Sequence, residues 1–163
     1  MIRDIVLWPD PVLSRVCDRV DVVTDDIRTL AEDMLETMYD APGRGLAAPQ
    51  VGVPIRLFVM DTAWKDGDPA PRVLINPKIE WRSEEKVTGE EGCLSIPGVI
   101  AHVERNAEVA MVWATLDGDT REEVLTGAEA ICAQHELDHL DGIVTFDRIS
   151  KEQRAELEAV YDP

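Results

Sequence analysis

Near its C-terminal end the chain reads QHELDHLDGIVT (134–145), in which His135 and His139 stand four residues apart with Glu136 between them. No other feature restricts the fold so much. Two imidazoles at i and i+4 reach one metal ion only if the segment is a helix with both on one face, and a site of this kind needs a third protein ligand. In one large group of metalloproteases the motif continues H-x-x-G-x-x-H. Here Gly142 arrives on schedule, but Thr145 occupies the position of the last histidine. The missing ligand therefore comes from elsewhere in the chain.

Helical geometry weighs the candidates. Cys132 shares the face of the two histidines but lies seven residues from His139, which is roughly 10 Å along a helix axis and too far for three side chains to converge easily. It reads as an apolar wall residue. Downstream, Glu152, Glu156 and Glu158 belong to a short polar tail. Upstream stand Cys93, His102 and, more remotely, Cys17. Cys93 is the stronger candidate because TGEEGCLSIPG (88–98) places a glycine before it and a Pro-Gly turn after it, a pattern suited to a strand end that presents a thiolate. His102, between Ala101 and Val103 in a β-type run, reads as a surface or sheet histidine.

Composition narrows the class. With 163 residues, 45% of them hydrophobic, the chain is expected to form one domain, residues 1–163, with a real core. Its 33 acidic and 16 basic side chains give a net charge of -17, which repels phosphate backbones and anionic lipid, so neither nucleic acid nor membrane is an expected partner. Three cysteines at irregular spacing do not form a disulfide framework and suit a reducing cytosol. No stretch reaches the length of a membrane span, and the first residues do not read as a signal peptide. The expectation is a soluble, cytoplasmic protein.

Periodicity supplies the elements. Ile27, Leu30, Ala31, Met34, Leu35 and Met38 recur on one helical face after Thr24, and APG (41–43) should stop that helix. Short strands are expected at IRLFVM (55–60), RVLI (72–75), 86–88, 99–103 and 108–116, the last closing through Asp117, Gly118 and Asp119. The metal-binding helix should begin near Thr126, with Thr126 and Glu129 as a capping box, and end at Gly142. Strands in the middle with a helix towards each end predict an α+β fold.

Three separated motifs, GRGLAAPQ (43–50), EGCLS (91–95) and QHELDH (134–139), together with PDPVL (9–13) near the start, resemble the peptide deformylases over nearly the whole chain. The resemblance implies small sheets packed around the metal-binding helix and a metal site of Cys93, His135 and His139. It also implies removal of formyl from the N-terminal methionine of nascent polypeptides, with Fe2+ as the ion and Zn2+ as a substitute. Glu136 would act as the proton carrier, while the Gln50 amide and the Leu94 backbone N–H would stabilise the oxyanion. Gly43, Arg44, Gly45, Glu91, Ile131 and Cys132 would contact the peptide, and any ribosome encounter would be transient. Arg44 departs from the family, which commonly has an apolar residue there. It is expected to lie along the rim with its head in water or to pair with a nearby carboxylate such as Glu90 or Glu129, and to be either a solvated loop arginine or the source of a preference for acidic peptides. Two other readings compete: a metalloprotease, which leaves GRGLAAPQ and EGCLS unexplained, and a deformylase-like protein without activity, against which the intact Gln50, Cys93 and Glu136 speak.

Overall fold

A computed structural model describes residues 1–163. The first helix, α1 (Asp25–Asp40), starts where Thr24 accepts a hydrogen bond from the Ile27 N–H at 3.3 Å, with Asp25 and Asp26 in the positive first turn. Its apolar face, Leu30, Met34 and Met38, is buried against Leu46, Leu57, Val59 and Ile75. These last four belong to a five-stranded antiparallel sheet in the order β1-β2-β3-β6-β7, formed by β1 (Gly45–Ala47), β2 (Leu57–Met60), β3 (Arg72–Arg82), β6 (Glu108–Ala114) and β7 (Thr120–Thr126). The opposite face packs Phe58, Met60, Leu74, Met111 and Trp113 against Ala130, Ala133, Leu137 and Leu140 of the second helix, α2 (Gly127–Leu140). Both faces of β2 are therefore covered, which is why LFVM reads as an unbroken apolar run.

The remaining strands, β4 (Lys86–Cys93) and β5 (Ile96–Asn106), form a separate hairpin sheet. Helix α2 lies between the two sheets, as the resemblance implied, and the fold is α+β.

Several boundaries differ from those expected. β2 begins at Leu57, since Ile55 instead makes an isolated bridge with Asp18. β3 runs on to Arg82 because Asn76 and Pro77, a turn signal in isolation, form a bulge: Asn76 adopts φ 50° while its side chain exchanges two hydrogen bonds with the Val20 backbone. β6 ends at Ala114, and β7 was hidden because TREEVLT buries only Leu125. The Thr126–Glu129 capping box does not form, because Glu129 pairs with Arg72 at 2.9 Å. The polar tail contains a third helix, α3 (Lys151–Val160), capped by Ser150 and without a fully buried residue.

Helix α2 stops as foreseen. Gly142 has φ 75°, and a Cβ there would lie 2.6 Å from the Ser14 carbonyl oxygen. Gly142→Ala is therefore expected to destabilise the protein by more than the ~1 kcal/mol of a left-handed conformation alone, since backbone must also move. Chemical denaturation of the variant beside wild type measures this, and equal midpoints would refute it.

Candidate metal centre

The donor atoms of Cys93, His135 and His139 all lie within 4.8 Å of one another. The two histidines are one turn apart on α2, and β4 delivers the cysteine at its last residue, after a register shift between Glu91 and Cys93. Sγ of Cys93 is 3.5 Å from Nε2 of His139. Metal–sulfur and metal–nitrogen bonds of ~2.3 and ~2.0 Å at a tetrahedral angle put the two donors about 3.5 Å apart, so this edge already has the required length. His135 directs Nδ1 to Glu91 Oε1 at 2.9 Å, which leaves Nε2 for the cluster. Without a metal ion the two histidines differ in charge. Burial opposes positive charge at His135, but Glu136, Cys93 and Glu91 outweigh it and favour the protonated imidazole, a proton that a metal ion would displace. His139 is held neutral by burial, assisted by His135 and Arg105, as a ligand must be. These residues fit a divalent metal ion.

Around the tripod the other motif residues come together. Glu136 is buried on α2, with Oε2 3.9 Å from His135 Nε2 and Oε1 without a hydrogen-bond partner. Burial, reinforced by Glu91 and Asp138 against His135 and Arg105, pushes its carboxyl up to about 7. Gln50 accepts the Ala47 N–H at 2.9 Å and donates to Ser95 Oγ at 3.0 Å and towards Cys93 Sγ at 3.6 Å. Its amide is thus oriented from three sides. The GRGLAAPQ loop approaches so closely that a Cβ on Gly45 would meet Glu136 Oε2 at 2.6 Å and Cys132 Sγ at 2.8 Å, and one on Gly43 would meet the Leu94 side chain at 2.7 Å.

The other candidates lie elsewhere. Cys17 is buried, donates to the Arg15 carbonyl, and burial pushes its thiol up to about 11, so it offers no thiolate. His102 is exposed, 3.6 Å from Glu90. Ile131 lines a cavity of about 340 Å³ between α2 and the start of β4, together with Val87 and Ala107. Arg44 is exposed and pairs with Asp66 at 3.8 Å, not with Glu90 or Glu129.

Glu91 differs most from expectation. Both of its oxygens are engaged, by Arg105 at 2.8 and 2.9 Å and by His135, so it stands behind the ligand and not beside a peptide. Arg105 also donates to Asp138 at 2.8 Å, and Asp138 in turn holds Arg148 through two bonds. Burial alone would raise the Glu91 carboxyl, but the bonds from Arg105 and His135 lower it to about 2. The chain of charges ties β4 and β5 to α2. Sequence reasoning missed Arg105, although a signal was there: Val99, Ala101 and Val103 are the inward positions of β5, and Arg105 continues that alternation into the interior. Gln134 ties α2 to β5, exchanging bonds with the Asn106 backbone.

An α+β fold that gathers a cysteine and two helix-borne histidines beside a buried glutamate defines a metal-dependent hydrolase with an H-E-x-x-H helix. The profile of the polypeptide deformylase family matches residues 2–155, and the chain belongs to that family. It is 52% identical to a peptide deformylase of Afipia carboxidovorans over 94% of this chain and 90% of that protein. A peptide deformylase of Rhizobium meliloti is 48% identical over 94% of this chain and 88% of its own. Among solved structures, a peptide deformylase from Synechococcus elongatus in complex with actinonin superposes with a TM-score of 0.92 at 40% identity, covering 96% of this chain and 86% of that one. No helix is long and apolar enough to cross a membrane.

Proposed function

We propose that the protein hydrolyses the formyl amide of N-formyl-methionyl polypeptides, releasing formate and a free α-amine, with residues 1–163 acting as one catalytic domain in the cytoplasm. The observation that carries this reading is the convergence of Cys93, His135 and His139 next to a buried glutamate whose Oε1 has no protein partner. When bound by these three side chains, a divalent ion supplies Lewis acidity and brings the pKa of a water towards neutrality. Glu136 is assigned the proton transfers. Its carboxylate takes a proton from the water that adds to the formyl carbon, and its acid form gives one to the amine nitrogen as the C–N bond breaks. Burial raises this carboxyl and a bound metal ion would lower it, and the two opposed influences let it serve in both directions.

The Gln50 amide N–H and the Leu94 backbone N–H are assigned to the developing oxyanion. Gln50 suits the task because its carbonyl is tied to Ala47, which fixes which end of the amide faces Cys93. Gln50→Ala should lower kcat by ~10²–10³, with KM much less affected, as for loss of one preorganised donor. Steady-state kinetics would test this, and an equal fall in affinity with kcat preserved would contradict it. The peptide itself is assigned to the free edge of β1, where Gly45 permits close backbone approach. Cys132, Ile131 and Val87 supply apolar surface for the methionine on the α2 side.

For the ion we infer Fe2+ in the cell, on the strength of the family resemblance and of a donor set, one thiolate and two imidazoles, that accepts iron as well as zinc. Anaerobic purification with metal analysis decides between them, and a zinc form at full rate with no gain from iron would count against iron. With a charge of -17 the enzyme is expected to meet ribosomes only transiently. The reading as a whole rests on one assay. Metal-reconstituted protein should release formate from formyl-methionyl peptides, and it fails if none is released or if the peptide is cut internally.

A further inference from the structure

We propose that Arg44 makes the enzyme discriminate among formyl-methionyl chains, favouring those with an acidic side chain at the second position. The proposal rests on the deformylation reading and on the geometry of one extended segment. A Cβ on Gly43 or Gly45 would point inwards, to Leu94 and to Glu136 and Cys132 respectively. By the alternation of extended chain, the residue between them points the other way, and Arg44 is indeed exposed, its side chain 49% accessible. Its carbonyl accepts the Asp61 N–H at 2.8 Å on the β2 side. Gly45, one residue on, therefore turns its backbone groups to the unpaired edge of β1.

A peptide added at that edge follows the same period of two. With the methionine side chain directed inwards, to the face shared by Glu136 and Cys132, the next side chain emerges on the opposite face, where Arg44 stands. Directly opposed side chains of paired strands have Cβ atoms about 5 Å apart, well within reach of an arginine. The electrostatic setting makes this contact count. The protein as a whole carries -17 and repels acidic peptides, so a cation beside the seat of the substrate changes the sign of the local interaction. The counter-ion Asp66 holds Arg44 loosely, at 3.8 Å with 83% of its side chain exposed, and an incoming carboxylate can replace it. The loop that carries Asp66 is itself pinned to the site, through Trp64 Nε1 to the Gly43 carbonyl at 3.0 Å and through Asp61, which accepts from the Ala63, Trp64 and Ala70 N–H groups.

The test compares kcat/KM for three matched peptides, formyl-Met followed by Asp, Ala or Lys, in wild type, Arg44→Gln and Asp66→Asn, at low and high salt. Wild type should favour Asp over Lys by about two- to fivefold, the range of an exposed ion pair. That ratio should fall to unity or below in Arg44→Gln, approach unity in high salt, and grow in Asp66→Asn, where the competing carboxylate is gone. A flat series in wild type, or a ratio that survives Arg44→Gln, overturns the role of Arg44 and leaves deformylation standing. Absence of turnover on all three peptides removes the deformylation reading and this proposal with it.

Discussion

Glu136→Gln should bind metal as wild type does and yet lose ~10²–10⁴ in kcat, the usual contribution of a positioned acid–base group. The substitution keeps the shape of the side chain and leaves Cys93, His135 and His139 untouched. It removes only the ability to take up and return a proton. Because burial raises the Glu136 carboxyl, the acid limb of the wild-type pH profile should lie above that of an ordinary carboxylate, with activity falling as pH drops and the base becomes protonated. A bound cation acts in the opposite direction, so the limb should lie below the position that burial alone would give it. The same shift has a consequence for stability, with the sign fixed by linkage. The folded state of the metal-free protein binds this proton more tightly than the unfolded chain, so the contribution of Glu136 to stability diminishes as pH rises from about 4.5 towards 7. Metal-free Glu136→Gln should lack that component. Metal analysis, kcat against pH and denaturation against pH examine the three parts separately, and normal turnover by the variant would end the assignment of Glu136 as proton carrier.

What could be read from the chain in advance follows a physical division. Helix α1, the stop at Gly142 and the choice of Cys93 over His102 and Cys17 depend on local spacing, and local spacing is visible in one dimension. The environment of the ligands is not. Nothing in the motif around Glu91 announces its partners, since Arg105 and His135 are 14 and 44 residues away. Likewise the partner of Arg44 proved to be Asp66, because the loop between β2 and β3 folds back over Gly43, and no periodicity announces a loop contact of that kind. The unformed capping box at Thr126 makes the same point, since Glu129 had a stronger option in Arg72, which β3 brings alongside. Short polar elements such as β7 and α3 escaped notice for a related reason. They bury too few side chains to leave a hydrophobic pattern.

Cys93→Ala should abolish metal binding and with it all turnover, and it should do so without unfolding the chain. The two histidines sit on one helix and offer two donors only; the third comes across from β4, so its loss opens the tripod on one side. Affinity should fall by more than the roughly 10–100-fold typical of losing an outer partner of a ligand. The hairpin sheet keeps its attachment to α2 nonetheless, because Glu91, Arg105 and Asp138 bridge the two independently of the thiolate. Thermal unfolding separates these effects. Wild type should gain in melting temperature on adding metal, as any ligand of the folded state requires, while Cys93→Ala should melt cooperatively near the metal-free wild type and show no such gain. Cys132→Ala is the control. Its sulfur contacts the Arg44 carbonyl at 3.6 Å and stands outside the donor cluster, so that variant should retain a full equivalent of metal. One bound equivalent in Cys93→Ala, or none in Cys132→Ala, would exchange the parts given to the two cysteines.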